Sequence, residues 1–197
     1  MPGPVHVRFE EVTGVRLVEG YGLTESAGVV SANPYDGFRK RGTIGQLVPG
    51  TAAILLDKED PSQLAPEGEP GELAVCGPQV MRGYWNRPET DAETFVEIGG
   101  KRYLRTGDVA RIDADGFLEI VDRIKDMIAV GGFKVFPSVV EDVILDHPAV
   151  KEALVIGVPE EYRGEVPRAY VTLNEGASAT GAELAEWLNA RIGKHER

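Results

Sequence analysis

Through most of its first 121 residues, this chain offers apolar residues only in short β-branched runs, each closed by glycine, proline or aspartate. Ala52-Ala53-Ile54-Leu55-Leu56, Gly71-Glu72-Leu73-Ala74-Val75, Asp108-Val109-Ala110-Arg111-Ile112 and Phe117-Leu118-Glu119-Ile120-Val121 are the clearest. Runs of that length bounded by turn residues are strands, so the first part is expected to be β-rich. Between the last two runs lies Asp113-Ala114-Asp115-Gly116, whose Asp-Gly pair favours a tight hairpin turn.

The period changes at Pro137. Proline suits a first helical turn, and Val139, Val140, Val143, Ile144 and His147 recur at helical spacing before Pro148. Ala153–Val158 and Pro167–Leu173 read as two strands around a turn-rich Glu160–Gly164. A second helix is expected from Thr180, where Thr180 and Glu183 form a capping-box pattern ahead of Leu184, Trp187, Leu188 and Ile192. The fold class is therefore α+β, with a domain boundary placed in Asp122–Met127: a β-rich part over 1–121 and a small α+β domain over 122–197.

Bulk properties narrow the function. A formal net charge of -11 repels phosphate backbones, so nucleic acid is not the expected partner. Cys76 is the sole cysteine, which rules out an intrachain disulfide and a cysteine zinc site and suits a reducing, cytoplasmic setting. No stretch approaches the roughly 20 apolar residues of a spanning helix, so no transmembrane segment is expected.

Three strings could carry chemistry. In Glu19-Gly20-Tyr21-Gly22-Leu23-Thr24-Glu25-Ser26, glycines permit close backbone approach beside a hydroxyl and a carboxylate. Thr24 could meet phosphate oxygens while Glu25 holds Mg²⁺, a cation that takes oxygen ligands; alone, the string reads equally as an exposed glycine turn. In Tyr103-Leu104-Arg105-Thr106-Gly107-Asp108, the Asp108 carboxylate could accept both vicinal hydroxyls of a ribose, or be an ordinary turn aspartate. Asp122-Arg123-Ile124-Lys125-Asp126-Met127-Ile128, followed by Gly131-Gly132-Phe133, could be a hinge and loop or a solvated linker and turn.

In order, these strings resemble the successive motifs of the adenylate-forming superfamily, with spacing similar to bacterial long-chain fatty-acid–CoA ligases. Asn33-Pro34-Tyr35-Asp36, Gly42-Thr43-Ile44-Gly45, Pro70-Gly71-Glu72-Leu73 and Gly77–Trp85 extend the resemblance over nearly the whole chain. It implies an enzyme that activates a carboxylic acid with ATP to an acyl-adenylate and then transfers the acyl group to CoA. It also implies roles. Tyr21, with Gly22 beside it, packs on adenine; Thr24 contacts phosphate; Glu25 is linked to Mg²⁺; Asp108 and Arg123 reach the ribose. Lys125 is the hinge of a mobile lid domain, and Gly131, Gly132 and Phe133 form the loop brought to the pantetheine channel. Gly28, Val29 and Val30 are candidates to touch the acyl group.

The resemblance further leads one to expect a fragment, the end of a large domain followed by a truncated lid. The family's phosphate loop and late lysine have no counterpart here, Lys194 is not assigned that lysine's role, and the fragment alone is expected to be inactive. Two rival readings are a peptide-synthetase adenylation domain, against which Asp122–Pro137 speaks, and a non-catalytic module derived from the lid. His6, His147 and His195 are expected at surfaces or helix ends, Trp187 in the core, and Tyr84-Trp85 packed where a strand ends. Oligomeric state is left open.

Overall fold

A computed structural model describes residues 3–193. Lys194 and His195 lie outside the described residues. The chain divides into two compact units, Met1–Val121 and Asp122–Arg197.

The first unit runs α1 (Gly3–Thr13), β1 (Gly20–Leu23), β2 (Gly28–Ala32), β3 (Gln46–Leu47), β4 (Ala52–Leu56), β5 (Gly71–Cys76), α2 (Pro88–Thr94), β6 (Phe95–Ile98), β7 (Lys101–Ile112) and β8 (Leu118–Arg123), whose last residues pass into the second unit. One sheet has the order β1-β2-β3; the other has the order β4-β5-β7-β6, with β8 also paired to β7. β5 is buried on both faces, and strand alternation explains how. Leu73 and Val75 join Val30, Leu104, Ala110 and Leu118 in one cluster, while Ala74 points the other way to Leu56 and Tyr103. Full burial of a side chain such as Leu73 contributes about 1.5–3 kcal/mol. The Asp113–Gly116 hairpin forms as its residues dictate: Asp113 Oδ1 accepts from the amides of Asp115 and Phe117, both at 2.9 Å, and Gly116 adopts φ 77°. Lys40 pairs with Asp113 and holds its carboxyl below the ordinary range.

Several expectations are corrected here. α1 and α2 were not anticipated. β7 starts well before the expected Asp108 and runs through Gly107 as one twelve-residue strand, Lys101–Ile112. His6 is not a surface histidine: it is 4% exposed on α1, with Glu10 Oε1 at 3.4 Å and Glu19 Oε2 at 3.6 Å. Tyr84-Trp85 does not pack a strand end, since it lies between elements and Trp85 is 89% exposed. Glu10 takes the Arg39 guanidinium at 2.8 Å, which with the Leu17 amide lowers its pKa to about 2.

The second unit contains β9 (Ile128–Val130), β10 (Phe133–Val135), α3 (Pro137–Leu145), β11 (Val150–Glu160), β12 (Gly164–Leu173) and α4 (Gly181–Asn189), with sheet order β10-β9-β12-β11. Pro137 opens α3 at its first turn, and Thr180 caps α4 through the expected capping box, its hydroxyl accepting the Glu183 amide. The core is aliphatic: Ile128, Val130, Val135, Val140, Ile144, Val150 and Val155. β11 and β12 pair from Val150–Leu173 to Glu160–Gly164, whereas β9 meets β12 through the single registered pair Gly164–Val130. Two bonds reinforce that seam, from the Gly131 amide to the Arg163 carbonyl at 2.8 Å and from the Ala129 amide to Glu165 Oε2 at 3.0 Å. Trp187 is not a core residue. It is half-buried, edge-on to His147 at 5.1 Å, with the Arg191 guanidinium 3.9 Å over its ring. His147 sits just past the end of α3. Among the described residues, no helix is long and apolar enough to cross a membrane.

Candidate functional site

In the first unit the glycine-rich string becomes strand, turn and strand. β1 ends at Leu23, Thr24–Ser26 makes one 3₁₀ turn, and β2 starts at Gly28. The buried Ser26 hydroxyl oxygen accepts the Leu23 amide at 3.0 Å, and its proton is shared between the carbonyls of Leu23 and Gly28 at 2.9 and 2.8 Å. A Cβ on Gly22 would lie 2.1 Å from the Gly28 carbonyl oxygen, so no other residue fits this approach. The turn leaves Thr24 exposed and Glu25 half-buried. Glu25 Oε1 accepts the Tyr84 hydroxyl at 2.5 Å, while its carbonyl accepts the Met81 amide at 2.8 Å. The tyrosine hydrogen bond, with a backbone donor, holds the Glu25 carboxyl below its ordinary pKa, so it is an anion at neutral pH. The partner phenol is raised for the same reason. Val30 is fully buried in the core and is removed from the acyl-contact candidates; Gly28 and Val29 stay exposed.

Asp108 is no surface turn aspartate: it is 3% exposed within β7, and its Oδ2 accepts the Tyr21 hydroxyl at 2.5 Å. The structure thus brings together two residues 87 positions apart. The strand bulges where Asp108 sits. Arg105 pairs with Ala74 and Val109 with Glu72, so Thr106, Gly107 and Asp108 of β7 together face Leu73 of β5. Gly107 takes φ 75°, a value that favours glycine. The Thr106 hydroxyl donates to the Leu73 carbonyl at 2.8 Å and accepts the Asp108 amide at 3.1 Å.

In the second unit, Arg123 ends β8 and Lys125 lies in a single exposed 3₁₀ turn, Ile124–Asp126. Asp122 Oδ2 accepts the Ser138 amide at 3.2 Å and hydroxyl at 2.9 Å, tying this turn to the start of α3. Gly131 and Gly132 form the β9–β10 turn with φ 56° and 88°, and Phe133 beside them is 51% exposed. A cavity of about 570 Å³ in this unit, lined by Val140, Ile144, Val171, Leu184 and Leu188 among others, contains none of the candidate residues. It is the apolar gap between the sheet and its two helices, without the convergent polar groups of a nucleotide site.

Residue-level reasoning left three members unassigned: Tyr84, Glu72 and Arg105. Tyr84 and Glu72 fall in stretches that carried the resemblance, and only the tertiary pairing gives them a task. Among the described residues, no group of three or more His, Cys, Asp or Glu could hold a metal ion. A lone ionised carboxylate such as Glu25 is nevertheless suited to Mg²⁺, which takes one or two carboxylates together with waters and substrate phosphates.

The family model for AMP-binding enzymes matches residues 1–85, and that for the AMP-binding enzyme C-terminal domain matches residues 139–197. The chain belongs to the AMP-binding enzymes. A long-chain-fatty-acid–CoA ligase of Escherichia coli O6:H1 is 51% identical over 185 residues, 94% of this chain and 32% of that protein. One of Bacillus subtilis strain 168 is 42% identical over 196 residues, 100% of this chain and 34% of its own. Among solved structures, ATP-bound MatB from Rhodopseudomonas palustris matches with TM-score 0.84 and 35% identity, covering 98% of this chain and 37% of that one. The chain spans about a third of the length of the curated relatives it matches. As an AMP-binding enzyme chain it has the α+β class expected for it.

Proposed function

We propose that this chain is part of a cytoplasmic, ATP-dependent acid–thiol ligase that converts a fatty acid to its CoA thioester. The observation that carries this reading is the Tyr21–Asp108 pair, a buried carboxylate held beside an aromatic ring next to the Thr24–Glu25 turn. Likeness to fatty-acid–CoA ligases supports the substrate class. A carboxylate oxygen of the acid attacks the α-phosphorus of ATP. One P–O bond forms, the bond to pyrophosphate breaks, and an acyl-adenylate results. The CoA sulfur then forms a C–S bond to the acyl carbon and AMP leaves.

Asp108 accepts both ribose hydroxyls, with Arg123 as a second ribose contact, and fixes the nucleotide without taking part in bond exchange. Tyr21 packs on the adenine above Gly22, and Thr24 donates to phosphate. Glu25, kept anionic by Tyr84, is the residue that would hold Mg²⁺, which when bound neutralises phosphate charge. Lys125 is the pivot between the two half-reactions, and the Gly131-Gly132-Phe133 turn lines the path of the pantetheine arm. Gly28 and Val29 are the acyl contacts.

The test is ATP–pyrophosphate exchange by the protein at its full natural length with a panel of carboxylic acids, followed by thioester formation with CoA. Exchange that depends on a long-chain acid, followed by acyl-CoA, is expected. Absence of exchange with every acid would overturn the reading.

A further inference from the structure

We infer that Glu72 and Arg105 are a positioning pair that shapes the β7 bulge and so aims the Asp108 carboxylate. This rests on the reading of Asp108 as the ribose-binding group. Glu72 lies on the central strand β5 with its side chain 3% exposed. Its Oε2 accepts from Arg105 Nε at 3.0 Å and Nη2 at 2.8 Å, and its Oε1 accepts the Gly107 amide at 3.3 Å. Both carboxylate oxygens are thus engaged, one by Arg105 just before the bulge and one by Gly107 in its middle. Arg105 reaches further to the Glu93 carbonyl at 3.1 Å, so the guanidinium is held at more than one point.

A buried ion pair is weak evidence for stability, because desolvating two charges offsets most of their attraction, and an aliphatic residue in such a place commonly packs as well. What an aliphatic residue could not do here is hold the Gly107 amide, a donor left without a ladder partner where three residues oppose one. The pair's distinctive contribution is therefore geometric. It fixes where β7 leaves and rejoins the ladder, and Asp108 is the last residue of the bulge before Val109 re-enters register with Glu72. The Thr106 hydroxyl, bridging the Leu73 carbonyl and the Asp108 amide, pins the same segment from the other side. Glu72 is buried on the central strand with both oxygens engaged, and acts through Asp108.

The experiment measures binding of ATP and of 2′-deoxy-ATP to the protein at its full natural length, in the parent and in Glu72→Gln, Arg105→Lys and Asp108→Ala variants, with Tm alongside. Glu72→Gln keeps the shape and removes the charge. Arg105→Lys keeps the charge and removes the planar fork. Each is expected to weaken ATP binding by about tenfold or more, the scale on which a small misplacement of a fixed group acts. Each is also expected to cut the preference for ATP over 2′-deoxy-ATP toward that of Asp108→Ala, beyond any fall in Tm that comes from breaking a buried pair. Should Glu72→Gln fail to fold, Arg105→Lys gives the same readout. Parallel weakening of both nucleotides together with a fall in Tm would make the pair merely structural and overturn the inference. An unchanged preference in folded Glu72→Gln or Arg105→Lys, with the preference lost in Asp108→Ala, would overturn the inference and leave the ribose reading standing. An unchanged preference in Asp108→Ala would overturn both.

Discussion

The two units bury different chemistry. In the first, His6, Ser26, Ser31, Asn33, Thr43, Glu72 and Asp108 all sit below a tenth exposure, and all but His6 are hydrogen-bonded. In the second, the buried side chains among the described residues are aliphatic, and the candidate functional residues Lys125, Gly131, Gly132 and Phe133 stand on exposed turns. Burying polar groups is costly unless each is hydrogen-bonded, and the partners then dictate loop shape to a fraction of an ångström. The first unit thus has an interior suited to fixing a polar ligand. The second has an interior suited to remaining intact while its turns change conformation.

The largest expected effect tests the second half of that contrast. Lys125→Pro fixes φ near -65° and removes a backbone donor in the turn read as the pivot. In the full-length protein it should abolish one half-reaction by orders of magnitude and spare the other. Pyrophosphate exchange and thioester formation, measured separately, would refute the pivot if they fell equally and in step with Tm. Next, Ile144→Ala removes a buried side chain of α3 and should cost about 2–5 kcal/mol, followed by denaturant unfolding through Trp187 fluorescence. A loss well under 1 kcal/mol would show that aliphatic packing does not carry this unit. Asp108→Ala probes the polar interior: ATP affinity should fall by about 2–4 kcal/mol, since each charge-assisted hydrogen bond contributes about 1.5–3 and the two are not fully additive. Unchanged affinity would return Asp108 to a structural role.

The smallest effect is Thr180→Ala, which removes the α4 cap and should cost about 1 kcal/mol. It carries a pH signature. The Thr180 amide and hydroxyl hold the Glu183 carboxyl below its ordinary 4.5. A depressed folded pKa gives stability that is present above about pH 4.5 and lost as pH falls through the lowered value. The variant should retain the amide's share of that acid dependence and lose the hydroxyl's, giving a flatter stability profile below pH 4.5.

Local chemistry made part of the fold legible before any coordinates. The Asp113–Gly116 turn, Pro137 at the first turn of α3 and the Thr180–Glu183 cap all depend on neighbours within a few residues, and all formed. α1 was missed although Val5, Phe9 and Val12 recur at helical spacing; the stripe they form is exposed. Whether Asp108 stood in a turn was open for a different reason: the positive φ of Gly107 before it serves a bulge as well as a turn, and only the pairing with β5 decides which. At the site, Thr24, Glu25 and Asp108 were candidates by residue type, and Tyr21 by the family resemblance. Tyr84 stands 59 positions from Glu25, and Glu72 33 from Arg105, so no short window of sequence contains either pair.

The thin seam between β9 and β12 has a kinetic consequence. The described bonds across it are one registered pair and two flanking hydrogen bonds, which tie the short β9–β10 hairpin to a neighbour that is itself zipped along its whole length. Few ladder bonds must break for the hairpin's turn end, Val130–Phe133, to fray while Ile128 and Val135 stay packed in the core, whereas β11 and β12 separate only along their whole length. Amide hydrogens of Val130 and Phe133 should therefore exchange with solvent well ahead of those in Leu154–Ile156, the loop breathing on a faster clock than the strands that carry it.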